Sequence, residues 1–317
     1  MSAIDGPGVP HGLASDTDPA RRRAALRDLL SAPEPLVLPG VSDALGARLT
    51  DRAGFAACYA SGAGIANAQF GVADVGLVSL GEVVEQVERI TDATGRPVIV
   101  DGDTGHGGPL SVMRTVHLLE RAGAAGIQLE DQQMPKRCGH FDGHQLVDAG
   151  EMVAKIHAAR RARSGQGAEA LVILARTDAR GVYGLDEALR RAHVYLDAGA
   201  DGLFVEAPQG VEELERVGRE FRGVPLVANI VEGGKTVPLT VAELSGLGFS
   251  IVLYANFLMR AMAFAGQQAL RYLAEHGETN GFTDRILPWA QRQELFALPG
   301  LTALDSAFAE VIAGAEG

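Results

Sequence analysis

Three carboxylates in this chain fall where neighbouring elements end. Asp101 and Asp103 follow the apolar run Pro97 to Val100, and Glu130 follows the run Gly126 to Leu129. Like charges on adjacent elements cannot all stay ionised without a cation between them. Carboxylate oxygens are hard ligands and favour Mg2+; Ca2+ takes more protein oxygens, and zinc is centred on His or Cys. The local sequence Asp101-Gly-Asp-Thr-Gly-His-Gly-Gly carries no Lys or Arg to neutralise the pair, and its glycines let backbone approach a ligand closely. A second reactive group comes after the fourth apolar run. In Pro135-Lys-Arg-Cys-Gly-His140 a thiol, Cys138, stands among Lys136, Arg137 and His140, a cationic setting that lowers a thiol pKa and lets it give or take a proton. Two other readings stand beside it: Cys138, His140 and His144 as zinc ligands, in a spacing that lacks a fourth ligand, or Cys138 as a small buried residue. Cys58, inside an apolar run, reads as core.

Polar residues also close the other apolar runs: Asp43, then Ser61 and Gly62, Arg176 and Asp178, Glu206, Asn229 and Glu232, and finally Tyr254 and Asn256. Singly, such residues cap helices or bind loop backbone; gathered at one end of a sheet they make a site. Eight short apolar runs, from Leu36 to Val41 through to Phe249 to Leu253, alternate with stretches of helical period such as Ser111 to Ala122, Glu151 to Arg163 and Leu185 to Ala198. Eight strand–helix units match a (β/α)8 barrel, whereas an open doubly wound sheet more often stops at five or six strands. The expected organisation is a flexible leader over residues 1–24, a barrel over 25–276, and a C-terminal helical extension over 277–317.

Composition narrows the function. The chain has 317 residues, 47% hydrophobic and 21% charged, with 28 Lys plus Arg against 40 Asp plus Glu and a net charge of -12. That balance argues against nucleic acid as a partner, and no apolar stretch is long enough to suggest a membrane span. Two distant cysteines without a CxxC exclude a disulfide scaffold and point to a reducing cytoplasm. Gly62-Ala-Gly64-Ile-Ala-Asn67 lacks the third glycine of a dinucleotide fingerprint, and Gly234-Lys-Thr236 has Asn229 where a phosphate loop needs its first glycine. Neither supports a nucleotide.

Ser61-Gly-Ala-Gly, Val100-Asp-Gly-Asp-Thr-Gly, Leu129-Glu-Asp-Gln, Lys136-Arg-Cys-Gly-His, Ala175-Arg-Thr-Asp-Ala and Asn229-Ile-Val-Glu-Gly-Gly occur in this order. Through them the chain, from about Leu26 to Phe308, resembles the isocitrate lyase and phosphoenolpyruvate mutase superfamily. The Lys-Arg-Cys-Gly-His segment is specific to the carbon–carbon lyases of that group. The resemblance implies a Mg2+ enzyme, with Mn2+ as substitute ion, in which Asp101 ligates the metal and Asp74, Asp103 and Glu130 hold its waters. It implies a small carboxylate substrate set against Ser61, Gly62 and Ala63, with Arg176 as the cationic contact to the same end. Cys138, flanked by Lys136 and Gly139, would protonate the departing acid, whose carboxylate is held by Glu206, His140 and Asn229. Arg260 and Arg292 match positions where methylisocitrate lyases contact substrate. The implied activity is cleavage of a 2-methylisocitrate-like 2-hydroxy di- or tricarboxylate to pyruvate and a succinate-like acid. The alternative is a mutase of the carboxyphosphonoenolpyruvate type or an oxaloacetate hydrolase. The implied assembly is a homotetramer in which C-terminal helices are exchanged between subunits. Three features depart from the methylisocitrate lyase pattern: Ala63 for a glycine, Tyr254-Ala-Asn-Phe for Tyr-Pro-Leu-Ser, and Asn229-Ile-Val-Glu-Gly-Gly-Lys, which is closer to the dimethylmalate branch.

Overall fold

A computed structural model describes residues 18–137, 139, 143–234 and 236–315. Residues 1–17 of the expected leader, and the candidate site residues Cys138 and His140, lie outside the described residues. The strands are β1 (Leu36–Val41), β2 (Cys58–Ala60), β3 (Val98–Asp101), β4 (Gly126–Glu130), β5 (Val172–Thr177), β6 (Gly202–Val205), β7 (Leu226–Asn229) and β8 (Ile251–Tyr254). All pair in parallel with their sequence neighbours, and β1 pairs with β8 from Leu36↔Ile251 to Pro39↔Tyr254, which closes the barrel. The helices are α1 (Pro19–Ser31), α2 (Ala44–Arg52), α3 (Gly62–Phe70), α4 (Leu80–Ala93), α5 (Pro109–Arg121), α6 (Ala149–Ala162) and α7 (Ala179–Tyr183). They continue with α8 (Leu185–Asp197), α9 (Val211–Glu220), α10 (Val241–Gly246), α11 (Phe257–His276), α12 (Trp289–Leu295) and α13 (Leu298–Ala315). The (β/α)8 expectation holds, with C-terminal helices present.

By internal contacts the chain divides into one unit over 18–259, carrying the barrel, and another over 260–315, carrying most of α11 with α12 and α13. In the second unit Tyr272 stacks on His276 at 4.2 Å and packs against Phe282 at 5.3 Å. Arg292 lies over the Trp289 ring at 5.0 Å. Arg260 and Arg292 are both exposed.

Period-two alternation decides what each strand offers the barrel interior. In β5, Val172 and Leu174 belong to the inner core with Leu36, Leu38, Tyr59, Ile99, Phe204 and Leu253, whereas Ile173 and Ala175 face the helical layer. The same alternation in β4 sends Ile127 and Leu129 outward and leaves Gln128 and Glu130 inward. Tyr59 donates to Gln128 Oε1 at 2.5 Å, so the apolar interior carries a polar floor beneath the strand ends.

Helix α1 corrects the expected leader, because residues 19–24 are already helical. Asp18 accepts from Ala20 N at 2.9 Å and Pro19 takes the first position, both ordinary start signals. The run Arg21-Arg22-Arg23 hides the apolar stripe that periodicity needs. Arg22 and Arg23 are nevertheless buried. Arg22 donates to Thr91 O at 2.7 Å and Thr94 O at 2.6 Å, Arg27 donates to Ala170 O at 2.9 Å, and Leu26 is fully buried in the inner core.

Asp131, just past β4, ties together the elements that carry the site. It is wholly buried and accepts from Thr177 Oγ1 at 2.8 Å, Asp178 N at 3.0 Å, Tyr195 OH at 2.8 Å and Arg191 Nη1 at 3.0 Å. One carboxylate thus joins β4, β5 and α8. Burial pushes its pKa up, with the Asp178 charge adding, against the hydrogen bonds it accepts. A carboxyl whose folded pKa exceeds its unfolded one favours the protonated folded form, so its own contribution to stability weakens as pH rises through the folded value. Asp131→Ala would take the buried carboxylate from Arg191, leaving it Glu187 and the Val147 carbonyl, and would strip Thr177, Tyr195 and the Asp178 N–H of their acceptor; it is expected to cost about 3–5 kcal/mol. Urea unfolding measures this, with Asp131→Asn expected between that variant and the parent; equal midpoints for all three would remove the assigned role.

Candidate active site

At the C-terminal ends of the strands the inward polar residues meet. A cavity there is lined by Ser61, Ala63, Asp74, Asp101, Glu130, Lys136, Gly139, Arg176, Glu206 and Asn229, together with Tyr59, Arg137, Phe204 and the β8 end. Most of the predicted site residues in the barrel unit are therefore neighbours. Asp103 and Gly62 sit just beside, where Gly62 N donates to Asp101 Oδ2 at 3.2 Å and Asp103 N donates to Asp101 Oδ1 at 3.3 Å. Arg260 and Arg292 belong to the other unit.

Each position has a local cause. Ser61 caps α3, accepting from Gly64 N at 3.2 Å, which sets the helix N-terminus and Ala63 at the mouth. Asp103 takes a left-handed φ of 47°, uncommon for a residue with a side chain and typical of loops held for function. Gly139 is required for space: a Cβ there would lie 2.2 Å from Arg176 Nη2 and 2.5 Å from Glu206 Cγ. Gly139 is thereby packed against the side chains of Arg176 on β5 and of Glu206 just past β6.

The acid pair is met by a cation that its own loop lacks. Lys136 pairs with Asp74 and lies 2.8 Å from Asp103 Oδ1. The local sequence around Asp101 carries no Lys or Arg; the lysine arrives from the loop after β4, which local sequence cannot reveal. Burial would lower the Lys136 pKa, but Asp103, Asp101, Glu130 and Asp74 outweigh it and hold the ammonium charged. Burial in turn pushes Asp103 up to about 6, with Lys136 opposing.

Arg176 forms the second centre. It donates to Asp178 from Nε at 3.0 Å and from Nη2 at 2.9 Å, stands 3.4 Å from both Glu130 and Glu206, and lies over the Phe204 ring at 5.1 Å. Asp178, which the sequence places among the residues closing the runs without giving it a partner, lies one residue past β5 at the N-cap position of α7. Burial raises the Glu130 pKa well above the usual range, with Arg176 opposing. Tyr59 and Gln128, also missed, occupy inward positions on β2 and β4 where a polar residue is unusual.

These residues also bear on a bound cation. Among the described residues, no three His, Cys, Asp or Glu side chains converge to ligate one ion together. Mg2+ keeps several waters and needs only one or two carboxylates. Half-buried Asp101 beside Glu130, whose buried Oε1 has no hydrogen-bond partner, fits one direct carboxylate with water-mediated neighbours.

The sequence profile described as phosphoenolpyruvate phosphomutase matches residues 26–274. The chain is 41% identical over 286 residues to 2,3-dimethylmalate lyase of Eubacterium barkeri, covering 90% of this chain and 98% of that one. It is 42% identical over 291 residues to 2-methylisocitrate lyase of Aeropyrum pernix, covering 92% and 91%. Among solved structures, a crystal structure of 2,3-dimethylmalate lyase superposes with a TM-score of 0.83 at 34% identity, covering 92% of this chain and 96% of that one. Phosphonopyruvate hydrolase in complex with oxalate and Mg2+ does so at 0.80 and 28%, covering 90% and 98%. With the barrel, the acid cluster and the profile in agreement, the chain belongs to the phosphoenolpyruvate mutase/isocitrate lyase superfamily, as one of its carbon–carbon lyases.

Proposed function

We propose that this protein cleaves a substituted 2-hydroxy di- or tricarboxylate of the 2-methylisocitrate type into pyruvate and a succinate-like acid, with Mg2+ as cofactor. The observation that carries the reading is the meeting of Asp101 and Glu130 with Lys136 and Arg176 in one cavity at the barrel mouth, with Asp103 beside it against Lys136. Asp101 would hold the metal directly, and Asp74, Asp103 and Glu130 its waters, with Mn2+ able to replace it. The ion supplies charge stabilisation for the hydroxy and carboxylate oxygens of the substrate. Ser61, Gly62 and Ala63 take the carboxylate at the α3 N-terminus, where backbone N–H groups favour an anion.

The 2-hydroxyl gives its proton to solvent and its oxygen becomes a carbonyl as the adjacent carbon–carbon bond breaks. The bonding pair stays on the departing acid as an enediolate-like carbanion. Arg176 and Lys136 stabilise the moving charge. Cys138 then gives its thiol proton to the carbanion, and Glu206, His140 and Asn229 hold the departing carboxylate.

The same reading includes a homotetramer with exchanged helices, and a cytoplasmic location. Helix α11 buries none of its twenty residues and exposes Phe257, Phe264, Leu270 and Leu273. The barrel unit carries an apolar groove of about 290 Å3, lined by Val37, Pro39, Leu49, Phe55, Tyr254 and Leu258, which suits a second copy's helix. No single helix among the described residues is long and apolar enough to cross a membrane.

The test is to incubate the protein with Mg2+ and, separately, 2-methylisocitrate, isocitrate, 2,3-dimethylmalate and oxaloacetate, and to identify products by mass. Pyruvate with succinate from 2-methylisocitrate, lost on chelation and restored by Mg2+ or Mn2+, is the expected result. Oxalate from oxaloacetate alone, or silence on all four, would overturn the reading.

A further inference from the structure

Lys155 on α6 is a buried lysine that does not line the cavity, and its side chain is only 4% exposed. A buried ammonium is costly unless it is paired and hydrogen-bonded, yet its acidic neighbour, Glu151 at 3.5 Å, is itself half exposed. What Nζ does bond is backbone. It donates to Thr104 O at 3.2 Å, in the loop between β3 and α5 that carries Asp103.

That loop is held carbonyl by carbonyl. Gly102 O accepts from Gly105 N at 2.9 Å, Asp103 O from Glu130 N at 2.9 Å, Thr104 O from Lys155 Nζ, and Gly105 O from Thr115 Oγ1 at 3.1 Å. The first two donors are backbone, whereas the last two are side chains from α6 and α5, and of the four only Lys155 brings a full charge, which strengthens its hydrogen bond. Thr104 directly follows Asp103, whose left-handed φ persists only where the surroundings hold it. Without the lysine, the buried Thr104 carbonyl would lose its partner and its peptide would turn to find another. Asp103 N in turn donates to Asp101 Oδ1 at 3.3 Å, while Gly62 N donates to Oδ2 at 3.2 Å. The direction in which Asp101 presents its oxygens therefore depends on the conformation of Asp103, and through it on Lys155.

We propose that Lys155 is a positioning residue for the cation site: reaching over from α6, it fixes the backbone beside Asp103 and so orients the Asp101 carboxylate toward the ion. The inference rests on the Mg2+ reading above and extends it to a residue outside the cavity. Groups that orient a metal's ligands are worth about 10–100-fold in affinity. The lysine's charge by itself would act the other way, because a cation nearby repels a metal ion and its removal would tighten binding. The sign of the change separates positioning from charge.

The test titrates Mn2+ alone, without substrate, into the metal-free protein and follows the free ion by electron paramagnetic resonance. Lys155→Met keeps the apolar stem but has no donor, and is expected to bind Mn2+ about 10–100-fold more weakly than the parent. Lys155→Arg, which keeps a charged donor, should recover most of that loss. Circular dichroism at the titration temperature establishes that each variant is folded. Unchanged or tighter binding by folded Lys155→Met overturns the proposal, as does an arginine variant no better than the methionine one. If Lys155→Met does not fold, Lys155→Gln takes its place, with weaker binding than the parent expected and unchanged or tighter binding equally fatal. A parent that binds no Mn2+ would instead overturn the Mg2+ reading, and this role would fall with it.

Discussion

Serine at Cys138 is expected to lower kcat by about 10²–10⁴-fold, the usual worth of a positioned general acid, with the circular dichroism spectrum and melting temperature kept. A serine hydroxyl has nearly the same size but holds its proton far more tightly than a thiol among cations does. The residues on either side line the cavity: Lys136 is engaged with Asp74 and Asp103, and Gly139 is pressed onto Arg176 and Glu206. Any side chain at 139 would have to displace one of those groups, so Gly139→Ala should also lose turnover while retaining the thiol. Parent-like rates from Cys138→Ser would end the protonation role, whereas a loss confined to KM would make Cys138 a binding residue.

The second large effect is expected at Arg176. Its guanidinium is the shared partner of Asp178, Glu130 and Glu206, all three buried. Arg176→Gln keeps some hydrogen bonding but removes the charge, leaving three carboxylates to repel each other in a poorly hydrated space. Breaking a buried ion pair from one side costs about 3–5 kcal/mol, and at about 2–4 °C per kcal/mol the melting temperature should fall by roughly 10 °C. Activity should vanish even at temperatures where the variant is folded, because the same group stabilises charge at the reacting end. Lowering the pH partly relieves the defect, since burial already raises the Glu130 pKa and loss of Arg176 removes the opposing charge. A variant that melts with the parent would show the arginine to be dispensable to the fold.

The barrel was legible because its signals are short-range and repeated. Eight apolar runs set the strand count, and β1 and β6 have the expected bounds. Inward acids were legible as residues closing the runs, although Asp101, Glu130, Arg176 and Asn229 prove to be the last or next-to-last residues of their strands. What escaped was pairing across long sequence distances. Lys136 reaches Asp74 and Asp103, and Asp131 is shared by Thr177, Arg191 and Tyr195. No periodicity encodes such partners, because each depends on which strands the closed sheet makes adjacent. Helix α1 escaped for a different reason: its charged residues spend their guanidinium groups on backbone carbonyls, an interaction that hydropathy scores as exposure.

That helix has a consequence for how the molecule is made. α1 leaves the ribosome before any strand of the barrel, yet its partners are Thr91, Thr94, Ala170, Leu171 and Asp201, up to 174 positions later in the chain. β1 likewise waits for β8 before its second edge is paired. Elements made early are thus completed by elements made much later, and contacts of such long sequence separation form slowly. A nascent chain halted before β8 would keep an open strand edge at β1, the kind of surface that recruits other chains. Production of this enzyme therefore depends on the interval between synthesis of its first strand and its eighth, during which the half-built barrel needs protection from its own copies.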